Sequence, residues 1–198
     1  MPLSVDLQAR ALIFDFDGTL GDTLPTHLQA WQAITTIFKF EMPASLLYQV
    51  AGMPTDDIVR YLNQHFGYNL DVETIVKAKN TAYLNLTKKI TPIIPVLKIV
   101  QEYYDKLPIA LGTGEYRDIA AVNIKAAGVE RYFKIIVTAD DVKKSKPDPE
   151  TFLKCAELMK VPPEFCQVFE DAPPGLEAAA RAGMIVTDVR PFVKKISA

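Results

Sequence analysis

The run Ala11-Leu12-Ile13-Phe14-Asp15-Phe16-Asp17-Gly18-Thr19 decides how this chain is read. Four apolar residues in a row predict a buried strand, and the glycine marks where it ends. Two carboxylates just beyond such a strand repel each other and cost desolvation unless a cation or a partner offsets them. In open α/β sheets, ligands bind at the carboxyl ends of strands. Asp15 and Asp17 are therefore the first candidates for a reactive site.

Further apolar runs at 109–113, 135–138, 167–170 and 184–189 predict more strands beside 11–16. Helical patterns separate most of them. Residues 116–127 end at Gly128, 149–159 begin with Asp148-Pro149 as N-cap and first helical residue, and 174–182 end at Gly183. This alternation predicts the α/β class, a three-layer Rossmannoid core with a parallel sheet between helices. Between about 22 and 90 the alternation stops. Leu28, Trp31, Ile34 and Phe38 recur at helical spacing, as do Ile58, Tyr61, Leu62 and His65. Pro25, Pro43 and Pro54 mark helix starts, and Pro92 and Pro95 close the segment. A helical block inserted right after the first strand reads as a lid over that strand's end. The expected division is a core of 1–20 plus 92–198 and a helical cap of 21–91.

The bulk numbers agree with an enzyme of this size. A chain of 198 residues, 49% hydrophobic and 23% charged, suits a soluble globular domain with an insertion. A net charge of -2 supplies no basic field for nucleic acid or anionic lipid. No apolar run approaches the ~20 residues that span a bilayer. Residues 1–6 carry neither a basic nor an apolar signal-peptide region. Cys155 and Cys166 form no C-x-x-C pair and read as free thiols in a reducing compartment. The expectation is a cytoplasmic protein, a monomer by preference, with no nucleic-acid or membrane partner.

Four further signals fall near predicted strand ends: Gly112-Thr113-Gly114, Lys146 in Ser145-Lys146-Pro147, Glu170-Asp171, and Pro173-Pro174-Gly175. Singly they are ordinary, since such a threonine is usually a cap and such a lysine usually solvated. In this order, together, they mark a site. With them the chain resembles the haloacid dehalogenase superfamily of phosphotransferases, in the form with a helical (C1-type) cap after the first strand. Asp15-Phe16-Asp17-Gly18-Thr19 matches its first motif, Thr113 the second, Lys146 the third and Glu170-Asp171 the fourth. Asp22-Thr23, His27, Trp31 and the run Val168–Asp171 make it similar to the β-phosphoglucomutase and fructose-1-phosphate phosphatase branch.

The resemblance implies a mechanism. Asp15 attacks phosphorus and forms an aspartyl-phosphate. Mg²⁺ neutralises charge, held by the Asp15 carboxylate, the Asp17 backbone carbonyl and Asp171, with Glu170 bound directly or through water. Lys146 bridges nucleophile and phosphoryl oxygens, to which the Thr113 hydroxyl and Gly114 amide also donate. The Asp17 side chain protonates the leaving alkoxide and then deprotonates water. Thr19 either orients Asp17 or closes the loop, or else serves only as a turn residue. Carbon–halogen cleavage has no alkoxide to protonate, so the complete set argues against a dehalogenase.

Cap residues are expected to choose the leaving group. His27 either binds substrate or gates closure, or else packs near Trp31. Lys79 aligns with a cap lysine that reaches the site, against the ordinary reading of a solvated helix lysine. Gly52-Met53-Pro54-Thr55 takes the place of the specificity loop. Mutases carry an arginine there for the distal phosphate; here the residue is Thr55. Arg117 is either an anion partner or a solvated helix-start residue, and Tyr61 and Tyr83 are either exposed or core. The expected activity is hydrolysis of small sugar phosphates such as fructose 1-phosphate or 6-phosphogluconate. The competing functions are β-phosphoglucomutase and a binding protein without turnover, the last disfavoured because Asp15, Asp17 and Lys146 are all present.

Overall fold

A computed structural model describes residues 2–193, apart from the side chains of Ala44 and Tyr48. Met1 and residues 194–198, which the sequence reading assigned to the core, lie outside the described residues. Five strands form one parallel sheet: β1 (Ala11–Phe14), β2 (Ile109–Gly112), β3 (Ile135–Val137), β4 (Cys166–Glu170) and β5 (Ile185–Asp188). Their order is β3-β2-β1-β4-β5, so the chain turns back across β1. That reversal opens a crevice at the strand ends, where α/β proteins bind ligands.

Alternation along β1 builds both faces of the sheet. Leu12 and Phe14 join Phe169, Leu111, Ile99 and Val100 in one apolar cluster. Ala11 and Ile13 join Ala110, Val168, Phe152 and Ala178 in the other. Helices α5 (Ile94–Tyr103) and α6 (Arg117–Ala127) supply the first face. Helices α7 (Glu150–Met159) and α8 (Pro173–Arg181) supply the second. A strand buried on both sides reads as a continuous apolar run, as β1 does.

Between β1 and β2 the chain makes four helices before α5: α1 (Leu24–Phe38), α2 (Ala44–Val50), α3 (Thr55–Phe66) and α4 (Val72–Leu86). They share a separate apolar cluster that includes Trp31, Ile34, Leu47, Ile58, Leu62 and Ile75. Helix α4 also leans on α6, where Tyr83 meets Ala30 and Ile119. Among the described residues no helix is long and apolar enough to cross a membrane.

Several local expectations need correction. Asp148 is not the cap residue of α7; Pro149 is, with Asp148 Oδ1 accepting the Glu150 amide at 3.2 Å. The carboxylate still satisfies a free helix-start donor, one residue further out. Pro95 does not close the helical segment but opens α5, in the first turn where a missing N–H costs nothing. Strand β1 stops at Phe14, two residues short of the predicted end, although the Asp15 amide still donates to the Phe169 carbonyl at 3.0 Å. Cys155 and Cys166 are buried free thiols, as expected.

Candidate active site

Strand register delivers the acidic residues to one place. Phe14 pairs with Leu111 on one side and Phe169 on the other, so three strands end level. Asp15 follows β1, Thr113 follows β2, Glu170 ends β4 with Asp171 next, and Lys146 arrives from the loop before α7. The Lys146 ammonium is 0% exposed. It donates to Asp15 Oδ1 at 2.7 Å, Glu170 Oε2 at 2.9 Å and the Gly112 carbonyl at 3.2 Å, which uses all three donors. Burial works against its charge, yet the Asp15 and Glu170 carboxylates outweigh burial and hold it above the ordinary lysine range.

Three carboxylates face that one cation. Oxygens of Asp15, Glu170 and Asp171 lie within 4.8 Å of one another. Burial, then the Glu170 charge, pushes the Asp15 carboxyl well above the usual range. The same two causes push Asp171 up to about 7. Uncompensated negative charge and hard oxygen donors are what a divalent cation needs, so the residues fit one. Glu170 Oε1 accepts the Asp171 and Ala172 amides at 2.9 Å each, so both its oxygens are engaged. Gly18 has φ of +86°, and a Cβ there would meet Asp171 Oδ2 at 2.4 Å; no other residue lets the loop pass so near.

Asp17 lives in the opposite environment. Its Oδ1 accepts from Thr23 Oγ1 at 2.7 Å and Asn123 Nδ2 at 3.3 Å, and lies 3.3 Å from His27 Nε2. Thr113 Oγ1 donates to its Oδ2 at 3.4 Å. Burial pushes this carboxyl up, but the hydrogen bond and charge of His27, with Thr23 and Lys79, overcome burial and leave it below the usual range. Two aspartates separated by one residue are thus driven apart in acidity, the pattern that assigns different protonic roles.

The helical layer completes the site. His27, on α1, stacks on Tyr83 at 4.2 Å and lines the same cavity as Trp31 one turn on. Lys79, on α4, is 2% exposed, so its reading as a solvated lysine fails. Its Nζ sits 3.6 Å from Glu115 Oε1 and over the Tyr83 ring. Tyr83, fully buried, donates to Asn123 Oδ1 at 2.9 Å, while Tyr61 is half-buried against His65. One cavity is lined by Asp15, Asp17, His27, Thr55, Lys79, Gly114 and Glu115, among others. Gly114 has a second reason to be glycine: a Cβ would stand 2.1 Å from the Gly52 carbonyl, because the Gly52–Thr55 loop rests directly on it.

Two expectations shift. Thr19 does not orient Asp17; its hydroxyl donates to Asp171 Oδ1 at 2.7 Å, holding the first and fourth motifs together. Arg117 pairs with Asp141 and does not line the cavity. Sequence reasoning overlooked Glu115 and Asn123. Glu115 stood next to a recognised motif and its charge was a usable signal; Asn123 lies mid-helix with nothing local to flag it.

Such a sheet, with four motif positions meeting at its strand ends beneath a helical layer, defines a Rossmannoid enzyme with an acidic centre. A model of the haloacid dehalogenase-like hydrolase family matches residues 12–189, and the chain belongs to that family. It is similar to fructose-1-phosphate phosphatase YqaB of Escherichia coli, 36% identical over 179 residues that cover 90% of this chain and 95% of that one. It is also similar to the β-phosphoglucomutase of Bacillus subtilis, 26% identical over 187 residues covering 91% and 83%. Among solved structures, a hydrolase from Pseudomonas syringae matches with a TM-score of 0.83 and 26% identity, over 90% of this chain and 84% of that one.

Proposed function

We propose that this enzyme is a Mg²⁺-dependent phosphatase of small sugar phosphates, working through an aspartyl-phosphate on Asp15. Residues 21–91 act as the cap, and 1–20 with 92–198 as the core. The carrying observation is the pairing of oppositely perturbed aspartates at one cavity, Asp15 beside Lys146 and the acidic trio, Asp17 beneath His27. Asp15, Asp171 and the Asp17 backbone carbonyl would hold Mg²⁺, which when bound screens the charge gathered on the transferring phosphoryl group. Glu170, with both oxygens engaged, positions Asp171 and Lys146.

The chain's own groups divide the proton work. Lys146 keeps the Asp15 oxygen aimed and draws the two negative partners together. Thr113 and the Gly114 amide face the phosphoryl oxygens. Asp17 rests ionised, which suits it to take a proton from the attacking water. A phosphate entering the cavity adds negative charge nearby and raises the Asp17 carboxyl, readying it to protonate the leaving alkoxide.

Similarity to a fructose-1-phosphate phosphatase at 36% identity supports hydrolysis. So does Thr55 at the place where mutases carry an arginine. The test is phosphate release from fructose 1-phosphate and 6-phosphogluconate, with and without Mg²⁺. The reading expects Mg²⁺-dependent release from fructose 1-phosphate. Conversion of β-glucose 1-phosphate to glucose 6-phosphate without phosphate release would assign the mutase activity instead.

A further inference from the structure

Building on the phosphatase reading, we propose that Glu115 sets leaving-group specificity: its carboxylate admits uncharged polyols and turns away sugar phosphates that carry a second anionic group. Glu115 lines the same cavity as Asp15 and is 8% exposed. Its backbone is fixed at both ends, the amide donating to Thr113 Oγ1 at 3.1 Å and the carbonyl accepting from Ala139 at 3.0 Å. The backbone that carries the carboxylate is therefore fixed at the cavity wall.

The surrounding charges leave no cation for a second anion. Among the described residues, the basic side chains lining the cavity are Lys79 and His27. Glu115 Oε1 stands 3.6 Å from the Lys79 ammonium and 3.7 Å from His27 Nε2, and Asp17 Oδ1 lies 3.3 Å from that same nitrogen. Arg60 pairs with Asp56 and Asp57, and Arg117 with Asp141. Lys146 is enclosed behind Asp15. A second phosphate or a carboxylate would meet the Glu115 charge where little water screens it. A polyol has no such conflict, because its hydroxyls donate to Glu115 and accept from Lys79.

A matched pair of esters tests this. Sorbitol 6-phosphate and 6-phosphogluconate share one carbon chain and differ only at the far end, a CH₂OH against a carboxylate. Wild-type enzyme is expected to favour sorbitol 6-phosphate by at least about tenfold in kcat/KM. Glu115→Gln removes the charge, keeps the shape and frees Lys79, so the preference falls by about tenfold or inverts. Glu115→Ser must move the ratio the same way, and the ratio rather than either rate is the readout. A wild-type ratio near or below one, or a ratio unmoved in the variants, overturns the inference and leaves the phosphatase reading standing. Absence of phosphate release from both esters and from fructose 1-phosphate overturns that reading, and this one with it.

Discussion

Asp15 and Lys146 show how one buried cation can be too little for its neighbours. Lys146 meets two carboxylates directly, and Asp171 adds a third negative group that, among the described residues, only the Thr19 hydroxyl holds. The site is therefore strained by charge until a cation arrives. Asp15→Asn should abolish phosphate release while raising the melting temperature of the metal-free protein, since one repelling charge is gone. Lys146→Met should lose about 3–5 kcal/mol of stability, because two buried carboxylates are left unpaired. The pH dependence follows in sign. Asp171 titrates at about 7 in the fold against an ordinary 3.8, so the folded state holds its proton longer than the unfolded chain. Metal-free stability should then fall as pH rises from about 4 to about 7, and Mg²⁺ should restore most at the upper end. A melting temperature flat across that window, with or without Mg²⁺, would contradict this.

At the level of elements, the start of α3 ties the helical layer to the core. Tyr116 donates to Asp56 Oδ1 at 2.8 Å, and Ser145 donates to Asp57. Arg60 braces both aspartates one turn on. These contacts adjoin cavity-lining residues, Asp56 following Thr55 and Tyr116 following Glu115, next to the Gly52–Thr55 loop that rests on Gly114. They favour the arrangement in which Thr55, Lys79 and His27 face Asp15. Tyr116→Phe removes one such hydrogen bond and should raise KM about two- to tenfold, with kcat changed less. Steady-state kinetics on fructose 1-phosphate separates the two; a fall in kcat at constant KM would place Tyr116 in the chemistry instead. Of the four helices of this layer, α1 and α3 were legible as periodic apolar stripes and Pro43 marked the start of α2, and the absence of a strand between β1 and β2 was legible too. Lys79 was legible only through the resemblance that set it near the site, and Tyr83 was left open between exposed and core. A charged residue on an amphipathic helix reads as solvated by itself, and only the fold sets Lys79 against Glu115 and Tyr83 against Asn123.

Across the whole molecule, what could be read in advance is what parallel sheets make local. The first, second and fourth motifs follow or end an apolar run, so Asp15, Thr113, Glu170 and Asp171 announced themselves as strand-end residues, and the level register of β2, β1 and β4 brings them together. Contacts between distant segments left no such mark. The Thr19 bond to Asp171 spans 152 residues, and the Asn123 bond to Asp17 spans 106. The account stands on Asp15 acting as the group that takes the phosphoryl. Its most direct measurement is the mass of enzyme quenched in acid during turnover of fructose 1-phosphate with Mg²⁺. The account predicts a fraction of the protein heavier by one phosphoryl group, mapped to the peptide containing Asp15 and missing in Asp15→Asn. Continued phosphate release by Asp15→Asn, or a phosphoryl group mapped to another residue, would contradict it.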